Sequence, residues 1–190
     1  AGETFAISGT GDVSNLSSKN VQTNQALSSL TGLSLGTSAN GGLSTNYNAI
    51  GTTGSSVSVT AKVATVDATP TTVTYNGAAQ TQTAPTTSGF IVGDVVTVSG
   101  AASGQNAGTY ASSLAVAGVD AGNYNVTFNN ANLLIQKAAL TATGNSSSVT
   151  YSGGNQSIAG FTVSGLQGSD TASSLNNITA SGASGTNAGS

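Results

Sequence analysis

Val73-Thr74-Tyr75-Asn76-Gly77 returns further along the chain as Val149-Thr150-Tyr151-Ser152-Gly153. Lys62 returns as Lys137, and each lysine closes a strand-like run: Val57-Ser58-Val59-Thr60-Ala61 before one, Leu133-Leu134-Ile135-Gln136 before the other. Asn46-Tyr47-Asn48 returns as Asn123-Tyr124-Asn125. Three markers at nearly one spacing read as a tandem array, which sets the fold before any single element does. The interval from Val73 to Val149 is the period of that array. The register places one whole unit at 63–137, with 1–62 as the later part of a preceding unit and 138–190 as the earlier part of a following one. Gly104-Gln105-Asn106-Ala107-Gly108 matches Gly185-Thr186-Asn187-Ala188-Gly189 near the end of the chain. The expectation is a segment of a longer polypeptide, with both ends inside units. Copying a small domain end to end builds length or valency, because copying a catalytic site adds little.

Glycine and asparagine punctuate the chain every 8–12 residues, the spacing of short strands joined by turns. Between them apolar residues alternate with Thr and Ser, so one face is apolar and the other carries hydroxyls. In the whole unit the pattern predicts strands near Val63–Ala68, Thr71–Tyr75, Asp94–Ser99, Thr109–Val116, Tyr124–Phe128 and Asn132–Gln136. Tyr75-Asn76-Gly77 leads into a turn with the positive φ angles of a tight hairpin. Val119–Asn123 is a turn before the Tyr124 strand, and Asn129-Asn130-Ala131 is expected to join the last two strands as a hairpin. Pro70 and Pro85 belong at strand margins. Asn15–Leu30 holds Leu16, Ala26, Leu27 and Leu30 without a sustained 3.6-residue stripe, so the helix signal is poor. The expected core is Val73, Tyr75, Phe90, Val96, Val98, Tyr110, Leu114, Val116, Tyr124, Val126, Phe128, Leu133 and Ile135. The fold class is all-β: tandem small β-sandwich or β-grasp-like repeat domains of about 75 residues. So small a domain buries only about 60% of its unfolded surface, so neighbouring units are expected to add stability.

Composition excludes several functions. Charged residues are 5% of 190, against about 25% in ordinary globular chains. Such low charge suits neither an ordinary cytosolic protein nor charge-rich disorder. With three Lys, no Arg and a net charge of −3, no basic face can form to neutralise phosphates, so nucleic acid and anionic membrane surfaces are excluded as partners. No apolar run approaches the roughly 18–20 residues of a membrane span, so no membrane insertion is expected in this segment. Cysteine and histidine are absent. That removes disulfides, thiolate nucleophiles, imidazole bases and the thiolate and imidazole metal ligands.

The carboxylates are Glu3, Asp12, Asp67, Asp94, Asp120 and Asp170. A glycosidase needs two of them facing one another in a cleft. Asp94 and Asp170 instead recur one period apart, each beside a loop glycine or serine, which predicts equivalent turns with the carboxylate near backbone N–H groups. Calcium would have to draw on Asp67, Asp120 and carbonyls, without the local carboxylate cluster such sites use. A Ser–Lys dyad is formally available, but Lys62 and Lys137 sit at unit boundaries, the place of exposed structural lysines. The five Asn-X-Ser/Thr sequons (Asn15, Asn125, Asn145, Asn155, Asn177) follow from a chain rich in these residues, and rows such as Thr141 and Thr143 are too irregular for an ice-binding face. The residues assign no catalytic, cofactor or metal site and no cofactor; the chain is expected not to be an enzyme.

The unit resembles a known class of repeats. Val73–Gly77 comes early, Gly93-Asp94 precedes a Val-Thr-Val strand, Asn106-Ala107-Gly108-Thr109-Tyr110 stands in the middle, and Ala121-Gly122-Asn123-Tyr124 precedes a final strand ending at Lys137. This series resembles the MBG repeats of large bacterial surface proteins. Lys19-Asn20-Val21, Leu33-Ser34-Leu35 and Asn46-Tyr47 resemble the second half of a YDG-type unit. The resemblance covers essentially the whole chain through short motifs. It implies an extracellular stalk, spacer or fibre segment of adhesins and filamentous-haemagglutinin-like exoproteins, and it supplies no catalytic residues. The partners it implies are neighbouring repeats or copies of the same protein, joined by β-strand addition. The alternative is a carbohydrate-binding module taking surface glycans, which exposed Tyr47 and Tyr124 side by side would favour.

Overall fold

The computed structural model describes residues 2–11, 13–175 and 182–187. Asp12, Asn177, Ala188 and Gly189 lie outside the described residues. The chain is all-β: among the described residues the only helical turns are four three-residue 3-10 turns, at Val13–Asn15, Ser44–Asn46, Ala121–Asn123 and Ala172–Ser174. No helix among the described residues is long and apolar enough to cross a membrane.

In chain order the first strands are β1 (Phe5–Gly9), β2 (Gln22–Gln25), β3 (Leu33–Ser38), β4 (Val57–Val59), β5 (Lys62–Asp67) and β6 (Thr71–Thr74). Then come β7 (Gln80–Thr81), β8 (Thr86–Ser88), β9 (Thr97–Ser99), β10 (Ser103–Gly104), β11 (Gly108–Ala111) and β12 (Ala115–Ala117). The last six are β13 (Tyr124–Asn129), β14 (Asn132–Gln136), β15 (Thr141–Gly144), β16 (Gln156–Ile158), β17 (Phe161–Ser164) and β18 (Ala183–Gly185). Two compact units result. One comprises Ala1–Val66, Thr87–Val98 and Ala115–Phe128; the other comprises Asp67–Thr86, Ser99–Leu114 and Asn129–Ser190. Strands of the 63–137 segment therefore contribute to both.

In the first unit β1 pairs antiparallel with β3 and β2 with β4; β9 pairs with β12, and β5 lies between β13 and β8. Its buried apolar side chains are Ala64, Val66 and Tyr124. Alternation explains them: Ala64 and Val66 lie on one face of β5, two residues apart.

In the second unit β14 is central, antiparallel to β11 and parallel to β6. Leu133 and Ile135 are 0% and 1% exposed, and with Ala102 they form a core against which Val73, Tyr75 and Tyr110 pack. β14 is buried on one face only, so its even residues Leu134 and Gln136 turn outward. Beside this sheet run the pairs β7·β10, β15·β17 and β16·β18.

Several expectations need correction. The strand expected at Thr109–Val116 is two strands, β11 and β12, in different sheets. It breaks because the Asn130 side chain accepts hydrogen bonds from Ser112 Oγ (3.1 Å) and Leu114 N–H (2.9 Å), and Ser113 N–H turns to Gly100 O (2.8 Å). The same use of Asn130 prevents the expected hairpin: β13 and β14 belong to different sheets. The strand expected from Asp94 starts only at Thr97, since Asp94 closes a turn. At Asn76-Gly77 only Gly77 takes a positive φ, 81°, and Asn76 Oδ1 instead accepts the Ala78 N–H (3.0 Å), so β6 and β7 pair with other strands. Phe128 is exposed, because burial declines along β13 from Tyr124 to its end. Ala64, Val66 and Ala102 are buried beyond the expected core.

Candidate functional site

The recurring residues form recurring local structures. Tyr47 and Tyr124 each end a 3-10 turn, with φ/ψ of −121°/149° and −123°/141°, and each tyrosine N–H closes the turn on the carbonyl three residues back, Ser44 O or Ala121 O. Each ring then meets a phenylalanine edge-on, Phe5–Tyr47 at 5.1 Å and 66° and Phe90–Tyr124 at 4.8 Å and 62°, the geometry aromatic quadrupoles favour. Each hydroxyl donates to a carboxylate: Tyr47 to Glu3, Tyr124 to Asp94. The two acids open matching stretches, Gly2-Glu3-Thr4-Phe5-Ala6-Ile7-Ser8-Gly9 and Gly93-Asp94-Val95-Val96-Thr97-Val98-Ser99-Gly100. Tyr75 Oη donates to Asp170 Oδ2 at 2.9 Å, a bond of the same kind made by a tyrosine at a different position of the repeat.

Asp94 and Asp170 do close equivalent turns. Asp94 N–H donates to Ile91 O (3.2 Å) and Asp170 N–H to Gln167 O (3.0 Å). Their carboxylates take tyrosine hydroxyls rather than the expected backbone N–H groups, because the turn's own N–H is already spent on its carbonyl. The tyrosines are the partners sequence reasoning missed. The signal was present in the Asn-Tyr-Asn recurrence, but only the fold brings it to the acid.

Two glycines show how closely the local structures agree. Gly89 (φ +85°) and Gly165 (φ +95°) lie one period apart. A Cβ on Gly89 would lie 2.5 Å from Val63 O, and one on Gly165 2.4 Å from Ala139 O, again one period on. Side chains repeat likewise: Gln80 Nε2 donates to Thr74 O (3.0 Å), and Gln156 Nε2 to Thr150 O (2.8 Å).

Each unit holds a small cleft with the same kinds of residue. One, of about 170 Å³, includes Asn20, Lys62, Asp94 and Tyr124; the other, of about 300 Å³, includes Asn106, Lys137, Asp170 and Tyr75. The hydrogen bond to Asp94 raises the Tyr124 pKa above its ordinary 10.0, and the bonds to Glu3 and Asp170 do the same for Tyr47 and Tyr75. A phenol held protonated this way is a donor at neutral pH and not a base. Lys62 Nζ donates to Gly89 O (2.7 Å), a strand-to-loop tie. Tyr124 also accepts the Ile91 N–H (2.9 Å).

The other two acids among the described residues are engaged individually. Asp120 is buried, accepts Val95 N–H (2.8 Å) and lies 3.9 Å from Lys19 Nζ. Asp67 accepts from Asn129 Nδ2 (2.6 Å). Among the described residues no three His, Cys, Asp or Glu side chains converge. Tyr47 is half exposed, but Tyr124 is buried, so the two do not present the paired platform that a sugar ring would stack on. Comparison with family models, curated proteins and solved structures gives no match to this chain.

Proposed function

We propose that the chain is a structural segment of a secreted bacterial surface protein, in which tandem small β-domains of MBG and YDG type act as stalk, spacer or fibre subunit. One observation carries the reading: the same backbone contact and the same glutamine bond recur one period apart, and a 3-10 turn ending in a tyrosine that donates to a carboxylate occurs at both Tyr47 and Tyr124. Recurring positions are used to hold turns and strands, which is what an array selected for length requires. The low charge and the absence of cysteine fit an extracellular setting.

Pulling single molecules from their two ends tests it. A spacer built of two compact units lengthens in separate steps, each releasing chain at about 3.3–3.6 Å per residue. Extension without force peaks, or one step that releases all of the chain, overturns the reading.

A further inference from the structure

Asparagine is followed by glycine twice in the chain, at Asn40-Gly41 and Asn76-Gly77. In such a pair the glycine nitrogen has open access to the side-chain carbonyl of the asparagine, because no Cβ shields the glycine backbone. The way each amide is held decides which pair reacts. Asn76 is exposed, and its Oδ1 accepts the Ala78 N–H (3.0 Å). That bond folds the side chain back along its own backbone, toward the Gly77 peptide. The Gly77 N–H donates to no group among the described residues, and neither does Asn76 Nδ2. The attacking nitrogen and the departing one are both free, while a backbone donor polarises the carbonyl between them.

Asn40 is held the opposite way. Its Nδ2 donates to Gly2 O (2.9 Å), and its Oδ1 accepts from Thr4 N–H (3.3 Å) and Ser38 Oγ (3.3 Å). All three bonds tie the amide to residues that precede it, away from Gly41. Gly41 and Gly77 share one backbone conformation, φ 80° and 81°, so the difference lies in the side chains. One period after Asn76-Gly77 stands Ser152-Gly153, with Gly153 at φ 77°. The glycine conformation is kept there, but serine offers no carbonyl to attack.

We propose that Asn76 is a self-modification site, converted to aspartate and isoaspartate through a cyclic imide. Solvent base takes the Gly77 N–H proton, and the nitrogen lone pair forms a bond to Asn76 Cγ. The carbonyl electron pair moves onto Oδ1, where the Ala78 N–H stabilises it as an oxyanion-hole donor does. Collapse breaks the Cγ–Nδ2 bond, and the departing nitrogen takes a proton from water and leaves as ammonia. Water then opens the imide at either carbonyl. The sum is asparagine and water giving a carboxylate and ammonium, with nothing oxidised or reduced. Each event adds a negative charge to a chain that starts at −3. The reaction needs only water, so it does not depend on the stalk reading.

Ageing the full chain in neutral and in mildly alkaline buffer tests it. Cleavage after Lys19, Lys62 and Lys137 puts Asn40 in the 20–62 peptide and Asn76 in the 63–137 peptide, so mass spectrometry reads the two separately. Electron-transfer fragmentation assigns the residue and tells isoaspartate from aspartate. In the folded chain Asn76 should exchange amide for acid at least about tenfold faster than Asn40. The rate should rise with pH, and both products should appear. In chain unfolded by urea the two rates should converge, because the bonds that hold Asn40 are gone. Asn76→Ser, which installs the residue found at Ser152, should remove the fast exchange from 63–137 and leave Asn40 unchanged; circular dichroism matching the parent establishes its folding. Equal rates at Asn40 and Asn76 in the folded chain overturn the proposal. So does an Asn76 that folding slows as much as Asn40, or fast exchange that persists in 63–137 of the serine variant.

Discussion

At the scale of the residue, the informative bond is a phenol held by a carboxylate. Glu3, Asp94 and Asp170 each take a tyrosine hydroxyl, and in each case that hydrogen bond is the largest cause of a raised tyrosine pKa. The sign of the consequence is fixed by linkage. Below pH 10 folded and unfolded chains both keep these protons, and the contribution is intact. Above it the unfolded chain releases them at the ordinary value while the folded chain retains them, so stability falls as pH rises. Urea midpoints measured from pH 7 to 11 should therefore stay flat to about pH 10 and then decline. Tyr124→Phe should lower the midpoint at neutral pH, since Asp94 and the Ile91 N–H lose a partner. It should also make the alkaline decline shallower. An unchanged slope in the variant would show that Tyr124 is not among the groups responsible.

At the scale of the element, β14 is the strand on which the second unit depends, and its two faces differ sharply. Leu133→Ala removes a fully buried side chain and should cost about 2–5 kcal/mol, whereas Leu134→Ala, at a position 38% exposed, should cost under about 1 kcal/mol. Equal losses in urea denaturation would mean that the strand is buried on both faces. β14, β13, β5 and β6 were legible because their alternation is strong and their ends carry Gly, Asn or Lys. The break at Ser112–Leu114 was not, since alternation runs straight through Tyr110, Ser112, Leu114 and Val116. What breaks it is the Asn130 side chain, 16 residues from Leu114 in sequence. β7 and β10 are two residues each, too short to show a period. The repeated acids were legible as turns; their tyrosine partners come from distant parts of the chain, and that pairing is tertiary.

At the scale of the whole molecule, the scarcity of charge has a measurable consequence. Three cations and six anions leave a net charge of −3, and the one salt bridge among the described residues, Lys19–Asp120, spans 3.9 Å with the lysine 80% exposed. With its lysine out in solvent and the charges this far apart, the pair contributes at most about 1 kcal/mol and is screened by salt. The forces that hold the sheets, apolar burial and neutral hydrogen bonds, carry no such dependence on moderate ionic strength. The urea midpoint in sodium chloride should accordingly shift by less than the equivalent of about 1 kcal/mol between roughly 0.02 and 0.3 M. Association behaves differently, because few charges oppose the approach of one copy to another. Near the isoelectric point of about 4.2 even that opposition vanishes, and light scattering should rise to a maximum there. Thr141→Asp on the exposed strand β15 adds a carboxylate and should move the maximum to lower pH. A maximum that stays at the same pH in the variant would show that net charge does not set it.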